Sequence, residues 1–163
     1  MRAIRPLMVL ALVALPLPFP LPTAAQTPVS APPAAGGRQA IVVGRTHHGA
    51  LSRGDVLVSN DSTYAQAWTI QGRAGQTVTI DLESDAFDAY LFLRGPGISG
   101  GWDFEDDDSG GNCNARLTVT FRQDGEYEIV VNSTGTKYAT GPFSLSVTSG
   151  SKPKSVARCT RNQ

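Results

Sequence analysis

Between Glu105 and Asn112 the chain reads EDDDSGGN: four consecutive carboxylates, then small, turn-forming residues. Upstream, SDAFD adds Asp85 and Asp88, and Asp103 precedes the acidic run. Calcium selects such oxygen-rich side chains on irregular backbone, taking about six to eight oxygens. If the Asp88 segment and the Asp106 loop meet at one end of the fold, the expected calcium ligands are Asp85, Asp88, Asp106, Asp107, Asp108 and Asn112, with Asp88, Asp106 and Asp108 foremost. Crowded carboxylates also raise one another's pKa, and a divalent cation relieves that repulsion. The spacing is neither that of a helix-loop-helix calcium loop nor that of a glycine-rich nonapeptide repeat. Asp, Ser, Gly and Asn equally compose a long solvated hairpin loop, so both readings stand at this stage.

Catalysis finds less support. Paired carboxylates can hydrolyse glycosides, but that requires an acid whose surroundings raise its pKa, and these acids share one loop. The histidines are His47 and His48, and neighbouring residues on a strand point to opposite faces. Neither a GxSxG elbow, nor HExxH, nor a phosphate-cradling loop occurs. The chain is therefore expected not to be an enzyme; a small hydrolase using the acidic loop is the catalytic alternative. Trp102 and Phe104, beside the acids, are candidate binding residues, since an exposed aromatic stacks on sugars or anchors a partner. The competing reading folds Trp102 back over an edge of the fold. RGD at Arg53–Asp55 reads as a turn.

Short strands must position these residues. QAIVVG (Gln39–Gly44) is an apolar strand, and TYAQAWTIQ places Tyr64, Trp68 and Ile70 on one side. QTVTIDLES points Val78, Ile80 and Leu82 inward, with Thr77, Thr79 and Asp81 outward. AYLFLRG is apolar on both faces, as in a central strand. ARLTVTFRQ turns in Leu117, Val119 and Phe121; EYEIVVNS turns in Tyr127, Ile129 and Val131; PFSLSVTS turns in Phe143, Leu145 and Val147. About eight strands broken by Gly, Asp and Asn predict an all-β antiparallel sandwich, with apolar faces stacked.

The N-terminus carries Arg2 and Arg5, an apolar run from Leu7 to Leu15, prolines and then TAA. That is the form of a secretory signal peptide over 1–25, cut after Ala25, and too short to span a membrane. A Pro/Ala/Gly-rich linker is expected over 26–39, the sandwich over 40–149 and a basic tail over 150–163. The whole chain carries 14 basic and 14 acidic residues, so loss of Arg2 and Arg5 leaves a slight acidic excess. That balance argues against nucleic acid as partner. An exported chain with two cysteines, Cys113 and Cys159, is expected to bridge them, tying the tail to the acidic loop. Two free thiols or an intermolecular bridge are the alternatives. A monomer is expected, secreted or periplasmic.

Four stretches together resemble a known family: GALSRGD, then YAQAWTIQGRAGQTVTIDLESDAFDAYLFLRGP, then EDDDSGGNCNARLTVTFRQDGEYEIVVNS, then TGPFSLSV. Over about Gly49 to Val147 they are similar to the bacterial pre-peptidase C-terminal domain. The resemblance implies a secreted, jelly-roll-like β-sandwich, usually appended to proteases and other exported enzymes. Related domains of bacterial collagenases bind collagen, and several bind calcium. Here the module stands behind a signal peptide and linker with no peptidase domain in front, and neither the cysteine pair nor the basic tail belongs to the family pattern. The expected function is a non-catalytic binding or targeting module for an extracellular protein or polysaccharide, with calcium as the one possible cofactor. The alternative is an accessory or stability partner of a separately encoded exported protease or other hydrolase.

Overall fold

The computed structural model describes residues 38–99 and 104–160. The signal peptide, its cleavage point, most of the linker, Trp102 and Asp103 lie outside the described residues. In chain order the strands are β1 (Gln39–Ala40), β2 (Thr46–Leu51), β3 (Val56–Val58), β4 (Thr63–Gly72), β5 (Thr77–Glu83), β6 (Asp88–Arg94), β7 (Glu105–Asp106), β8 (Ala115–Thr120), β9 (Gly125–Thr134) and β10 (Gly141–Ser149). They form two sheets. One runs β1-β4-β9-β6-β7 with β3 also on β4, and the other runs β2-β10-β5-β8. All the pairings are antiparallel except β1 with β4.

The sandwich follows from the period-2 pattern. Trp68, Ile70, Leu91, Leu93, Tyr127, Ile129 and Val131 come from the first sheet and are buried against Val78, Ile80, Leu82, Leu117, Val119, Leu145 and Val147 of the second. Each such side chain contributes about 1.5–3 kcal/mol by leaving water. Trp68 meets Phe143 edge to face, with ring centroids 6.2 Å apart. β6 lies between β9 and β7, the central place its two apolar faces predict.

Two expectations change. The strand expected over Gln39–Gly44 shortens to β1, because Gly44 turns the chain at a φ of +86°. Ile41 beyond it still reaches the core. More consequential is the outward face of β5. Thr79 and Asp81 do point away from the core, yet both are buried.

What covers them is the C-terminal segment, residues 151–160, which has no regular structure and crosses the second sheet as a strap. The Lys152 N–H donates to Thr79 Oγ1 at 3.0 Å, and the Arg116 guanidinium donates to the Pro153 carbonyl at 2.7 Å. Further along, the Ser155 N–H donates to the Ser109 carbonyl and the Asn112 N–H to the Ala157 carbonyl. The Cys113–Cys159 disulfide closes the strap. Gly111 is required where the strap passes: its φ is +81°, and a Cβ there would lie 2.2 Å from Ser155 Oγ.

Candidate functional site

The acidic loop leaves β7 and returns through a tight turn into β8. Asn112 and Cys113 both adopt left-handed backbone, at φ 56° and 65°. Asp106 sits opposite Leu91, on the core-side parity of β7. Its Oδ1 accepts the N–H groups of Ser109 and Arg116, both at 2.9 Å, and Lys154 Nζ lies 3.9 Å from Oδ2. Asp106 is thus built into the turn as its backbone acceptor.

The remaining expected ligands disperse. Asp107 and Asp108 are exposed, Asp107 on a groove of the first sheet and Asp108 beside the strap. Asp85 lines a shallow groove with His48, and Asp88 is buried with Oδ2 3.6 Å from Cys159 Sγ. Asn112 is exposed and gives its N–H to the strap. Among the described residues, the ligand atoms that converge within 4.8 Å belong to Asp88, Cys113 and Cys159, and the two cysteines are spent in the disulfide. Among the described residues, the expected carboxylate ligands Asp85, Asp88, Asp106, Asp107 and Asp108 do not form one such group.

Desolvation, then Asp107, then Asp106 raise the Asp108 pKa above the usual carboxylate value. A raised folded-state pKa stabilises the fold below the unfolded value of 3.8, and that gain is lost as pH rises through the folded value. Asp108→Asn is therefore expected to raise the melting temperature slightly in chelator at pH 7, with the gain absent at about pH 3. Thermal melts of both proteins at the two pH values check this.

The groove around His48 also holds Ser84 and Asp85. Ser84 Oγ donates to the Pro142 carbonyl at 2.9 Å and accepts the N–H groups of Ala86 and Phe87. It closes a loop. His47, half-buried on β2, accepts the Val42 N–H at Nε2 and packs edge-on to Trp68.

The larger feature lies on the outer face of the first sheet. Tyr90 and Phe92 alternate with the core residues Leu91 and Leu93, so their rings stand outward, with centroids 5.9 Å apart. With Val58, Asp61, Thr63, Arg94, Glu105, Asp107 and Asn132 they line a groove of about 690 Å³. The Tyr90 hydroxyl donates to Glu105, and the Arg94 guanidinium lies 4.8 Å from the Phe92 ring centroid. Desolvation, then Glu105, Asp107 and Asp61, push the Tyr90 phenol far above its usual value, so it remains a neutral donor. Sequence reading placed the binding aromatics at Trp102 and Phe104. Phe104 instead packs, half-buried, against the core, with the Arg122 guanidinium 5.8 Å from its ring centroid. The signal for Tyr90 and Phe92 was their alternation with two leucines in AYLFLRG.

Comparison with known proteins adds the family. Residues 64–133, from β4 through β9, match the model of the bacterial pre-peptidase C-terminal domain. No curated protein matches the chain. The pre-peptidase C-terminal domain of a collagenase from Bacillus anthracis is similar in structure, with a TM-score of 0.50 and 13% identity over 68% of this chain and 94% of that one. Periplasmic inhibitors of g-type lysozyme from Salmonella Typhimurium and Aeromonas hydrophila give TM-scores of 0.46 and 0.45. Their identities are 20% and 17%, over 71% and 70% of this chain and 100% of theirs. Residues 64–133, set in a two-sheet sandwich, are thus similar to the bacterial pre-peptidase C-terminal domain.

Proposed function

We propose that this protein is an exported, non-catalytic binding module that recognises an extracellular protein or polymer through the outer face of its first sheet. The observation that carries the reading is the groove over Tyr90 and Phe92, where two aromatic rings stand on an outer sheet face beside hydrogen-bonding side chains. Aromatic surface with a few fixed polar groups is the usual make-up of a recognition site. The opposite outer face offers less, because the strap covers part of it.

Co-sedimentation of the protein with insoluble collagen, chitin and peptidoglycan tests this. Retention by one of them, reduced at least about tenfold in affinity by Tyr90→Ala/Phe92→Ala, is the expected result, since truncating central aromatic anchors costs about 2 kcal/mol or more. Failure to bind any of the three, or binding indifferent to the double substitution, would count against it.

Calcium belongs to the same proposal in a narrowed form. Asp107 and Asp108 would hold it, relieving the repulsion that raises Asp108, while Asp106 keeps the turn closed. Under this reading Asp108→Asn changes sign: it stabilises in chelator and forfeits the saturable rise in melting temperature that calcium gives the unsubstituted protein.

A further inference from the structure

The acids of this domain fall into two groups by how the chain treats them. Asp81 is paired with Arg116 and Lys152, at 2.5 and 2.6 Å, and Asp106 has Lys154 at 3.9 Å. Asp61, Glu105 and Asp107 line the groove of the first sheet, and among the described residues no Lys or Arg forms an ion pair with any of them. Among the described residues the single cation lining that groove, Arg94, lies over the Phe92 ring.

All three acids act on one point. Each contributes to the field at the Tyr90 hydroxyl, so their negative potential is summed over the aromatic floor. The second observation is Thr63. It shares the outward parity of Ala65 and Ala67, is 4% exposed and lines the groove, and its buried hydroxyl oxygen has no hydrogen-bond partner among the described residues. A buried hydroxyl is rarely left so unless something supplies its partner.

The third observation is the neighbouring edge. Val58 belongs both to the groove and to β3, which pairs with β4 on one side and, among the described residues, with nothing on the other. Val56 and Leu57 on β3 are 67% and 47% exposed. This edge gives the groove an apolar border, against which the apolar part of a bound chain can rest.

From this juxtaposition we propose that the groove takes the lysine or arginine side chains of an extended, basic segment of another polypeptide, laid across the outer face of the first sheet. Its cations meet Asp61, Glu105 and Asp107 over the Tyr90 and Phe92 rings, where carboxylate pairing and cation–π attraction act together. This rests on the binding role proposed above and names its partner chemistry. A preformed metal cage fits less well, because these three carboxylates are not among the groups that converge within 4.8 Å.

The test uses the full chain and two fluorescein-labelled peptides, an alternating lysine–threonine decamer and the same peptide with every lysine acetylated, read by anisotropy. Saturable binding of the first and at least about tenfold weaker binding of the second are expected, because acetylation removes the charge. Asp61→Asn/Glu105→Gln/Asp107→Asn should weaken the lysine peptide about tenfold. Glu83→Gln/Asp85→Asn/Glu126→Gln, with the same change in net charge outside the groove, should weaken it less than about twofold. Equal losses in the two triple variants would reduce the effect to net charge, and equal binding of the acetylated peptide would remove the cation; either overturns the proposal. Should the groove triple variant lose its fold by circular dichroism, the exposed single substitution Asp107→Asn decides in its place. If a polymer binds in a Tyr90- and Phe92-dependent way while the lysine peptide does not bind, the binding role stands and the basic partner falls.

Discussion

Asp81→Ala is expected to destabilise the domain by about 3 kcal/mol, the lower end of the range for removing one partner of a buried ion pair. The Asp81 side chain is only 6% exposed and holds two cations at once, Arg116 Nε at 2.5 Å and Lys152 Nζ at 2.6 Å. Without it, Arg116, one-fifth exposed, keeps its charge against the sheet with the Pro153 carbonyl as acceptor. Lys152 is freer to turn toward water, which keeps the cost from reaching the top of the range. Chemical denaturation gives the number. A double-mutant cycle with Arg116→Met should recover part of the loss, since the stranded cation goes too. A loss below about 0.5 kcal/mol would place Asp81 with ordinary surface ion pairs and discard this account.

Removing the Cys113–Cys159 bridge is expected to cost about 4 kcal/mol by chain entropy, for a closed loop of 46 residues. Cys113→Ala/Cys159→Ala should unfold at correspondingly lower denaturant concentration, with the strap amides of Ser155 and Ala157 exchanging hydrogen far faster than those of β5 and β10. The unsubstituted protein in reductant should behave alike. The two effects are coupled, because Asp81 and the disulfide fasten opposite ends of one strap. Removing both should therefore cost less than the sum of the separate losses.

The sandwich was legible because most of its longer strands carry apolar residues at a period of two. Val78, Ile80 and Leu82, or Leu117, Val119 and Phe121, leave one way to face the core. The strap was not legible, because residues 151–160 have no period and bind mainly through backbone amides, which every sequence carries. Its signature was indirect: a basic tail opposite an acidic loop, with a cysteine in each. Asp81 read as a solvent-facing strand position, and it faces outward; only the strap makes that position buried. The candidate site was harder for a related reason. Composition drew the eye to EDDDSGGN, yet Asp106 serves the turn backbone and the other expected ligands part company. The groove draws Asp61, Tyr90, Glu105 and Asn132 from four separate segments, and only strand register brings them together.

The strap also sets an order of assembly. Cys113 lies in the turn before β8, whereas Cys159 follows β10, which is itself the strand between β2 and β5. The residue that completes the bridge thus follows every described strand of both sheets. As the polypeptide emerges from its N-terminus, the first thiol must wait, unpaired, until the whole sandwich has been delivered. An oxidant acting on this protein therefore meets a domain whose strands are all present, and closing the bridge locks a fold already chosen by its core.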